Sequence, residues 1–332
     1  MKLGIVIEET WDFFHEISTH LSEHHQVSLF ERRLYPFKLF QTRINNYLFH
    51  HDLRNFMQTN DVVFFEWASD LLLAATRLPK TCGIVTRLHR YELYQWADLI
   101  HWNAVDRIIL VSEAKKREFL LKKPDQNGKI LVIPEAVSLD KFSPNIKEFS
   151  GEIGILCHLT PRKRIYDLIL IFCELTKERE DLRLHIAGDP HPAYGDYYAA
   201  LQHIVKELDL VDKVVFHGHV EDTPNWYQMI DIFISNSYSE GLQVSPMEAM
   251  ASGCYCLSHR WNGANELLPD KYLYYSNSEL KNKVLSYCDT PDSEKLREKR
   301  RMREIVEMNF DINEHKERVR ETIEDVFEAV SA

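Results

Sequence analysis

Glycine is scarce in this sequence, with 11 in 332 residues, about half the usual share of roughly 7%. No apolar run approaches the roughly 18 residues of a membrane span. A basic excess is missing too: Lys and Arg number 40 against 51 Asp and Glu, for a formal charge of -11. That balance excludes the footprint of a general nucleic-acid binder. The six cysteines (Cys82, Cys157, Cys173, Cys254, Cys256 and Cys288) form no C-x-x-C sets, so neither a disulfide framework nor a structural zinc site is indicated. There is no internal repeat and no low-complexity tract. The opening MKLGIVIEETWD is too short in apolar residues for a signal-peptide core, so a cytoplasmic protein is expected.

The chain does have enough apolar residues, 45%, to bury a sizeable core, and its length suggests about two domains. Short apolar runs alternate with helical patterns, the signature of βα units around parallel sheets. The spacing predicts strands at Lys2–Glu8, Asp61–Glu66, Gly83–Arg87, Arg107–Ser112 and Ile130–Ile133, then Glu152–Cys157, Arg183–Ala187, Lys213–Phe216, Asp231–Asn236 and Cys254–Ser258. Cys254 and Cys256 alternate along the last of these and read as core thiols. The polar stretch Ser143–Gly151 separates the two groups and marks a domain boundary. A terminal amphipathic helix over 311–330 is predicted from the apolar stripe Val319, Ile323, Val326, Phe327 and Val330.

Two segments carry chemistry. In Asp231–Ser258 a buried strand leads through Glu240 and Gly241 to Ser245-Pro246-Met247-Glu248, which reads as a capping box with Ser as N-cap and a helix from Pro246 to near Gly253. The free N–H groups at such a helix start suit an anion. In His158–Phe172, Thr160 and Pro161 open a predicted helix whose first turn holds Arg162, Lys163 and Arg164. Cations there oppose the helix macrodipole, a conflict that a bound anion would relieve. The plainer readings are a capping carboxylate at Glu248 and a solvated basic turn paired with acids. His89 follows a predicted strand at its carboxyl end, where open α/β sheets bind ligands.

These residues resemble a known family. Glu240 and Glu248, eight positions apart in EGLQVSPMEAMASG, are similar to the paired-glutamate motif of family-4 retaining glycosyltransferases of the GT-B fold. LHRYE around His89, VSEAKKREF, VIPEAVSLDKF, HLTPRKRIYDL, LHIAGD and VVFHGHV follow the family's order. The resemblance implies an α/β fold of two Rossmann-like domains with parallel sheets facing a central cleft: an acceptor-side domain at 1–144, a nucleotide-sugar domain at 145–309, and a C-terminal helix at 310–332 returning to the first domain. It implies a hexosyltransferase that takes a UDP- or GDP-sugar as substrate, with no cofactor and no metal. The absence of any Asp-x-Asp pair agrees with that. His89, Lys163 and Glu240 would be catalytic. His158, Arg162, Lys163, Gly218, Glu240, Gly241, Leu242, Gln243 and Glu248 would bind the donor: the basic pair at the diphosphate, Glu248 at the ribose, Glu240 with Gly241 and Leu242 at sugar and phosphate, and Gly218 near the base.

The sequence departs from the family at His158, where an arginine is usual, at Glu135-Ala136 after the Ile-Pro pair, at Gln243 in place of a frequent glycine, and at Glu8-Glu9-Thr10-Trp11 in place of a glycine-rich first turn. The segment 31–56 holds five basic residues (Arg32, Arg33, Lys38, Arg43, Arg54) against two acidic ones, interleaved with aromatics. It reads either as an anionic-membrane surface suited to a lipid-linked acceptor or as a helix packed on the first sheet. The acceptor is expected to be a glycan or lipid-linked hydroxyl, and the protein cytoplasmic or peripheral at the membrane. The alternatives are a sugar-nucleotide epimerase or phosphorylase on the same fold, and a catalytically degenerate partner subunit.

Overall fold

A computed structural model describes every residue of the chain except 9, 12–13, 34–35, 37–40 and 145–146. It divides into two compact units, Met1–Glu135 with Ile312–Ala332, and Ala136–Asp311. The chain passes between them at 135/136 and 311/312, so the polar stretch Ser143–Gly151 lies inside the second unit.

The first unit alternates β1 (Lys2–Val6), α1 (His15–His24), β2 (Gln26–Phe30), α2 (Gln41–Thr59), β3 (Val62–Phe65), α3 (Asp70–Ala75), β4 (Gly83–Leu88), α4 (Arg90–Gln95), β5 (Arg107–Leu110), α5 (Glu113–Lys122) and β6 (Ile130–Val132). The second holds β7 (Glu152–Leu156), α6 (Ile165–Thr176), β8 (Arg183–Ala187), α7 (Gly195–Glu207), β9 (Val214–Gly218), α8 (Thr223–Met229), β10 (Ile232–Ser235), α9 (Val244–Ala251), β11 (Tyr255–His259), α10 (Ala264–Leu267), β12 (Leu273–Tyr274), α11 (Asn277–Asp289) and α12 (Asp292–Asn309). The last helix, α13 (Ile312–Ser331), packs on β3 and β4 of the first unit.

The described strands form two sheets, ordered β2-β1-β3-β4-β5-β6 and β12-β11-β10-β7-β8-β9, and their pairings are parallel. Parallel strands covered by helices on both faces need continuous apolar runs. Val62–Phe65 and Ile232–Ser235 supply them and are buried at every position. All ten expected strands form, and two more join at sheet edges. β2 reads QVSLF with Leu29 half exposed, so it lacks the buried run that identifies its neighbours, and β12 is only two residues long.

Of the predicted stripe on α13, Val319, Ile323 and Val326 are buried, Phe327 is half-buried and Val330 is exposed. The helix approaches β4 so closely that a Cβ on Gly83 would lie 2.6 Å from the Val326 side chain. Cys254 and Cys256 are fully buried free thiols in and beside β11.

Gly188, just past β8, has φ +120°, and a Cβ there would lie 1.9 Å from the Cys157 carbonyl oxygen. We expect Gly188→Ala to lower the unfolding free energy by more than about 2 kcal/mol, measured by urea denaturation. A loss of a few tenths of a kcal/mol would contradict the close approach.

Candidate functional site

In the second sheet the chain runs outward from β7 to β8 and β9, then returns to place β10 on the other side of β7. Open α/β sheets bind ligands outside the carboxyl ends of their strands at such a reversal. The loops leaving β7 and β10 there carry most of the sequence-derived site residues.

After β7 the chain does not enter a helix directly. Pro161–Lys163 form a single 3₁₀ turn, Arg164 adopts a left-handed conformation (φ 52°, ψ 40°), and α6 begins only at Ile165. A helical turn does open at Thr160–Pro161 as expected, but it is 3₁₀ and ends at Arg164, so α6 itself starts four residues later. The left-handed residue turns the chain, and Asn236 beyond β10 donates from Nδ2 to the Arg164 carbonyl at 2.9 Å. Arg162 and Lys163 therefore do not lie in the first turn of α6.

Both cations converge on Glu240, in the loop after β10. Lys163 Nζ donates to Glu240 Oε1 at 2.8 Å, and Arg162 ion-pairs with the same oxygen while Nη1 donates to the Ser239 carbonyl at 2.8 Å. Gln243 Nε2 lies 3.1 Å from that oxygen and its amide oxygen accepts from Ser235. Glu240 is buried. Burial alone would raise its pKa, but Lys163 and Arg162 outweigh it and hold the carboxyl below the usual range. Arg162 and Lys163 retain partial exposure. A cavity of about 10 Å³ beside them is lined by Cys157, Lys163, Ser237, Gln243 and Ser245.

Helix α9 starts at Val244 with Gln243 as N-cap and no side-chain cap bond. This corrects the capping box: Ser245 is inside the helix, and the Gln243 side chain is occupied with Ser235 and Glu240. Glu248 Oε2 instead lies 2.9 Å from the hydroxyl of buried Tyr227 on α8, which is also 3.1 Å from the Ser245 carbonyl. Gly241 and Leu242 are buried beside Glu240. His158 is exposed at the start of the same β7 loop. Gly218 ends β9 with φ +66°, and its carbonyl accepts from the Gly188 N–H at 2.7 Å.

His89, the remaining sequence-derived residue, belongs to the first unit. It is the N-cap of α4 at the carboxyl end of β4 and is nearly buried. Nδ1 lies 2.9 Å from Glu135 Oε1 and Nε2 3.1 Å from Glu66 Oε1, and the ring lies over Trp67 with centroids 4.0 Å apart. Arg87 completes the cluster, 2.5 Å from Glu66 and 3.4 Å from Glu135. Desolvation pushes the imidazolium toward neutrality, yet Glu135 and Glu66 overcome it and raise the His89 pKa to about 10. Glu135 is thus a charge partner of Arg87 and His89. Of the first βα turn, Glu8 pairs with Arg32 at 3.7 Å, and Glu9 lies outside the described residues.

Sequence reasoning did not single out Tyr227, whose aromatic ring reads as core until its hydroxyl is seen, or Glu66 and Arg87. The last two carried a signal: a charge closing an otherwise apolar strand must have a buried partner.

Residues 138–304 match the signature of the family Glycosyl transferases group 1. The alpha-monoglucosyldiacylglycerol synthase of Streptococcus pneumoniae is 30% identical over 54% of this chain and 44% of its own length. One subunit of the phosphatidylinositol N-acetylglucosaminyltransferase of Homo sapiens is 27% identical over 66% of this chain and 46% of its own. The chain thus spans less than half the length of these relatives. Among solved structures, HepE of Anabaena with UDP and glucose superposes with a TM-score of 0.78 at 18% identity, covering 98% of this chain and 99% of that one. Sucrose-phosphate synthase from Thermosynechococcus elongatus has a TM-score of 0.78 at 13% identity, covering 99% of each. These likenesses show the GT-B fold.

The His89 cluster has a measurable signature. An unfolded histidine loses its proton near pH 6.5, whereas folded His89 keeps it to about pH 10. The folded state therefore binds the extra proton between those values, and its stabilisation, complete below pH 6.5, is lost as pH rises through 10. We expect stability measured by urea titration to fall more steeply between pH 7 and 10 in the wild type than in His89→Asn. Parallel slopes would show that the ring is neutral in the folded protein.

Proposed function

The chain belongs to the Glycosyl transferases group 1 family, and from that membership we propose that it transfers a sugar, with retention of anomeric configuration, from a nucleotide diphosphate to an acceptor hydroxyl. The observation that carries the reading is the meeting of Lys163, Arg162 and Glu240 beside the uncapped start of α9.

Breaking a glycosyl–phosphate bond builds negative charge on the departing diphosphate and positive charge on the anomeric carbon. Fixed cations and backbone dipoles favour that separation most where water is excluded. In this reading Lys163 and Arg162 meet the diphosphate, helped by the first amides of α9, and His158 flanks them. Glu240, with the backbone of Gly241 and Leu242 and the Gln243 amide, contacts sugar and phosphate. Glu248, held by Tyr227, takes the ribose hydroxyls, and Gly218 lies toward the base. Both ring nitrogens of His89 are held by Glu66 and Glu135, so the sugar contact that the family resemblance implies for it would need one of those pairings to open. The acceptor hydroxyl passes its proton to the departing diphosphate, so no strong protein base and no metal are required.

Solved neighbours are complexes with UDP or UDP-glucose, which makes a UDP-sugar the first donor to test and a GDP-sugar the second. One relative is a synthase of a glucosylated diacylglycerol and another a subunit of a phosphatidylinositol N-acetylglucosaminyltransferase, which favours a lipid-linked acceptor over a free glycan. In the 31–56 segment, Phe49 and Leu53 of α2 are buried while Arg43, Tyr47 and Arg54 are exposed alongside Arg32 and Arg33. Lys38 lies outside the described residues. None of the described helices is long and apolar enough to cross a membrane. An exposed basic face of this kind suits peripheral binding to an anionic surface on the cytoplasmic side.

Three measurements test the reading. Lys163→Ala should lower turnover with a UDP-sugar by a factor of about 100 or more, and activity within threefold of wild type would refute its phosphate role. Tyr227→Phe should raise the donor KM about tenfold while leaving kcat within threefold, because Glu248 loses one hydrogen bond worth about 1–1.5 kcal/mol. Flotation with anionic vesicles at low salt should recover the protein, and recovery equal to that with neutral vesicles would remove the membrane surface.

A further inference from the structure

Helix α1 contains His20-Leu21-Ser22-Glu23-His24, residues that take no part in the proposed transfer. Positions i, i+3 and i+4 share one helical face, and here the three ligand-type side chains bring donor atoms to within 4.8 Å of one another. We propose that His20, Glu23 and His24 bind a divalent transition-metal ion, best fitted by zinc, with Glu317 of α13 as the outer partner that fixes His20.

The arrangement of nitrogens supports this. His20 is buried, with Nε2 3.0 Å from Glu317 Oε1 and Nδ1 3.8 Å from Glu23 Oε2. His24 Nδ1 lies 2.9 Å from the His20 carbonyl oxygen. His24 thus engages Nδ1 with a carbonyl, and His20 Nε2 lies at ion-pair distance from Glu317 without a hydrogen bond to it, which leaves His24 Nε2 and His20 Nδ1 for an ion in a pattern akin to metal-ligating histidines steadied by outer carboxylates or carbonyls. Ligand atoms at about 2.0 Å from a tetrahedral ion stand roughly 3.3 Å apart. Glu23 is exposed, so a change of its rotamer can close the remaining gap.

A salt bridge between His20 and Glu317 would by itself explain the contact of α1 with α13. It does not explain a second histidine one turn on, with a carboxylate between. Two imidazoles and one carboxylate suit zinc, cobalt or nickel better than calcium or magnesium, which prefer oxygen. The surrounding charges are those of Glu317, Arg320 and Lys316 on α13 and His25 with Glu324 behind them. Arg320 is itself held by Glu317 and Glu324 at 2.8 Å. Through Glu317 the ion would tie α1 to α13, a structural role separate from the metal-free transfer proposed above.

The test is calorimetric titration of the full chain with zinc chloride at pH 7.5, with cobalt absorption as a check on geometry. One saturable site per chain in the micromolar range is expected, with the intense visible bands of four-coordinate cobalt and a rise in melting temperature on adding zinc. His24→Ala, at an exposed position, should fold with an unchanged metal-free melting temperature and lose affinity about tenfold or more. His20→Asn gives a second variant with the same expected loss. Absence of saturable binding, or equal zinc affinity in wild type and His24→Ala, would overturn the site.

Discussion

The second unit depends on one electrostatic constraint: a carboxylate buried at the mouth of its sheet needs cations to compensate it. Glu240 has three donors on one oxygen, from Lys163, Arg162 and Gln243. Removing both cations would leave an uncompensated buried charge, costing several kcal/mol. The same contact ties together the loops after β7 and β10, whose regular structure amounts to the single 3₁₀ turn Pro161–Lys163. It also means that the two cations are already satisfied before any ligand arrives. An incoming diphosphate would compete with Glu240 for charge, and its affinity is a difference between two pairings.

The first unit solves a related problem differently. Glu66, Arg87, His89 and Glu135 are brought to the carboxyl ends of β3, β4 and β6, where apolar strands close on charges. Every ring nitrogen of His89 faces a carboxylate, so the imidazole is fixed in place and in protonation state. Glu135, one of the departures from the family, is thereby accommodated: its charge is matched inside the unit by Arg87 and His89.

Fold class was legible because parallel strands buried on both faces must be continuously apolar, and Val62–Phe65, Arg107–Leu110 and Ile232–Ser235 are nearly so. β2 escaped because an edge strand can leave Ser28 and Leu29 to solvent, and β12 because two residues make no pattern. At the site, residue types and spacing identified Lys163, Glu240 and Glu248, but local rules failed twice for one reason. Ser245-Pro246 has the chemistry of a helix start, yet Gln243 is the residue that ends the loop because its amide is engaged by Ser235 and Glu240. Arg164 has no intrinsic preference for a left-handed backbone, and its conformation is held by Asn236, some seventy positions away. Tertiary contacts overrode propensity at both places. The partner of Glu248 could not be read either, because the hydroxyl that meets it belongs to a ring that packs like any other core aromatic.

The route of the chain between the units has a consequence for biogenesis. The second unit is one unbroken stretch, whereas the first is assembled from two pieces, with α13 synthesised only after 136–311 have been made. A nascent polypeptide emerging from the ribosome would therefore expose the bare side of β3 and β4, with Gly83 awaiting Val326, throughout translation of the intervening 176 residues. The downstream unit can finish folding first, and the upstream one has to wait as an open, sticky intermediate that chaperones would be expected to recognise.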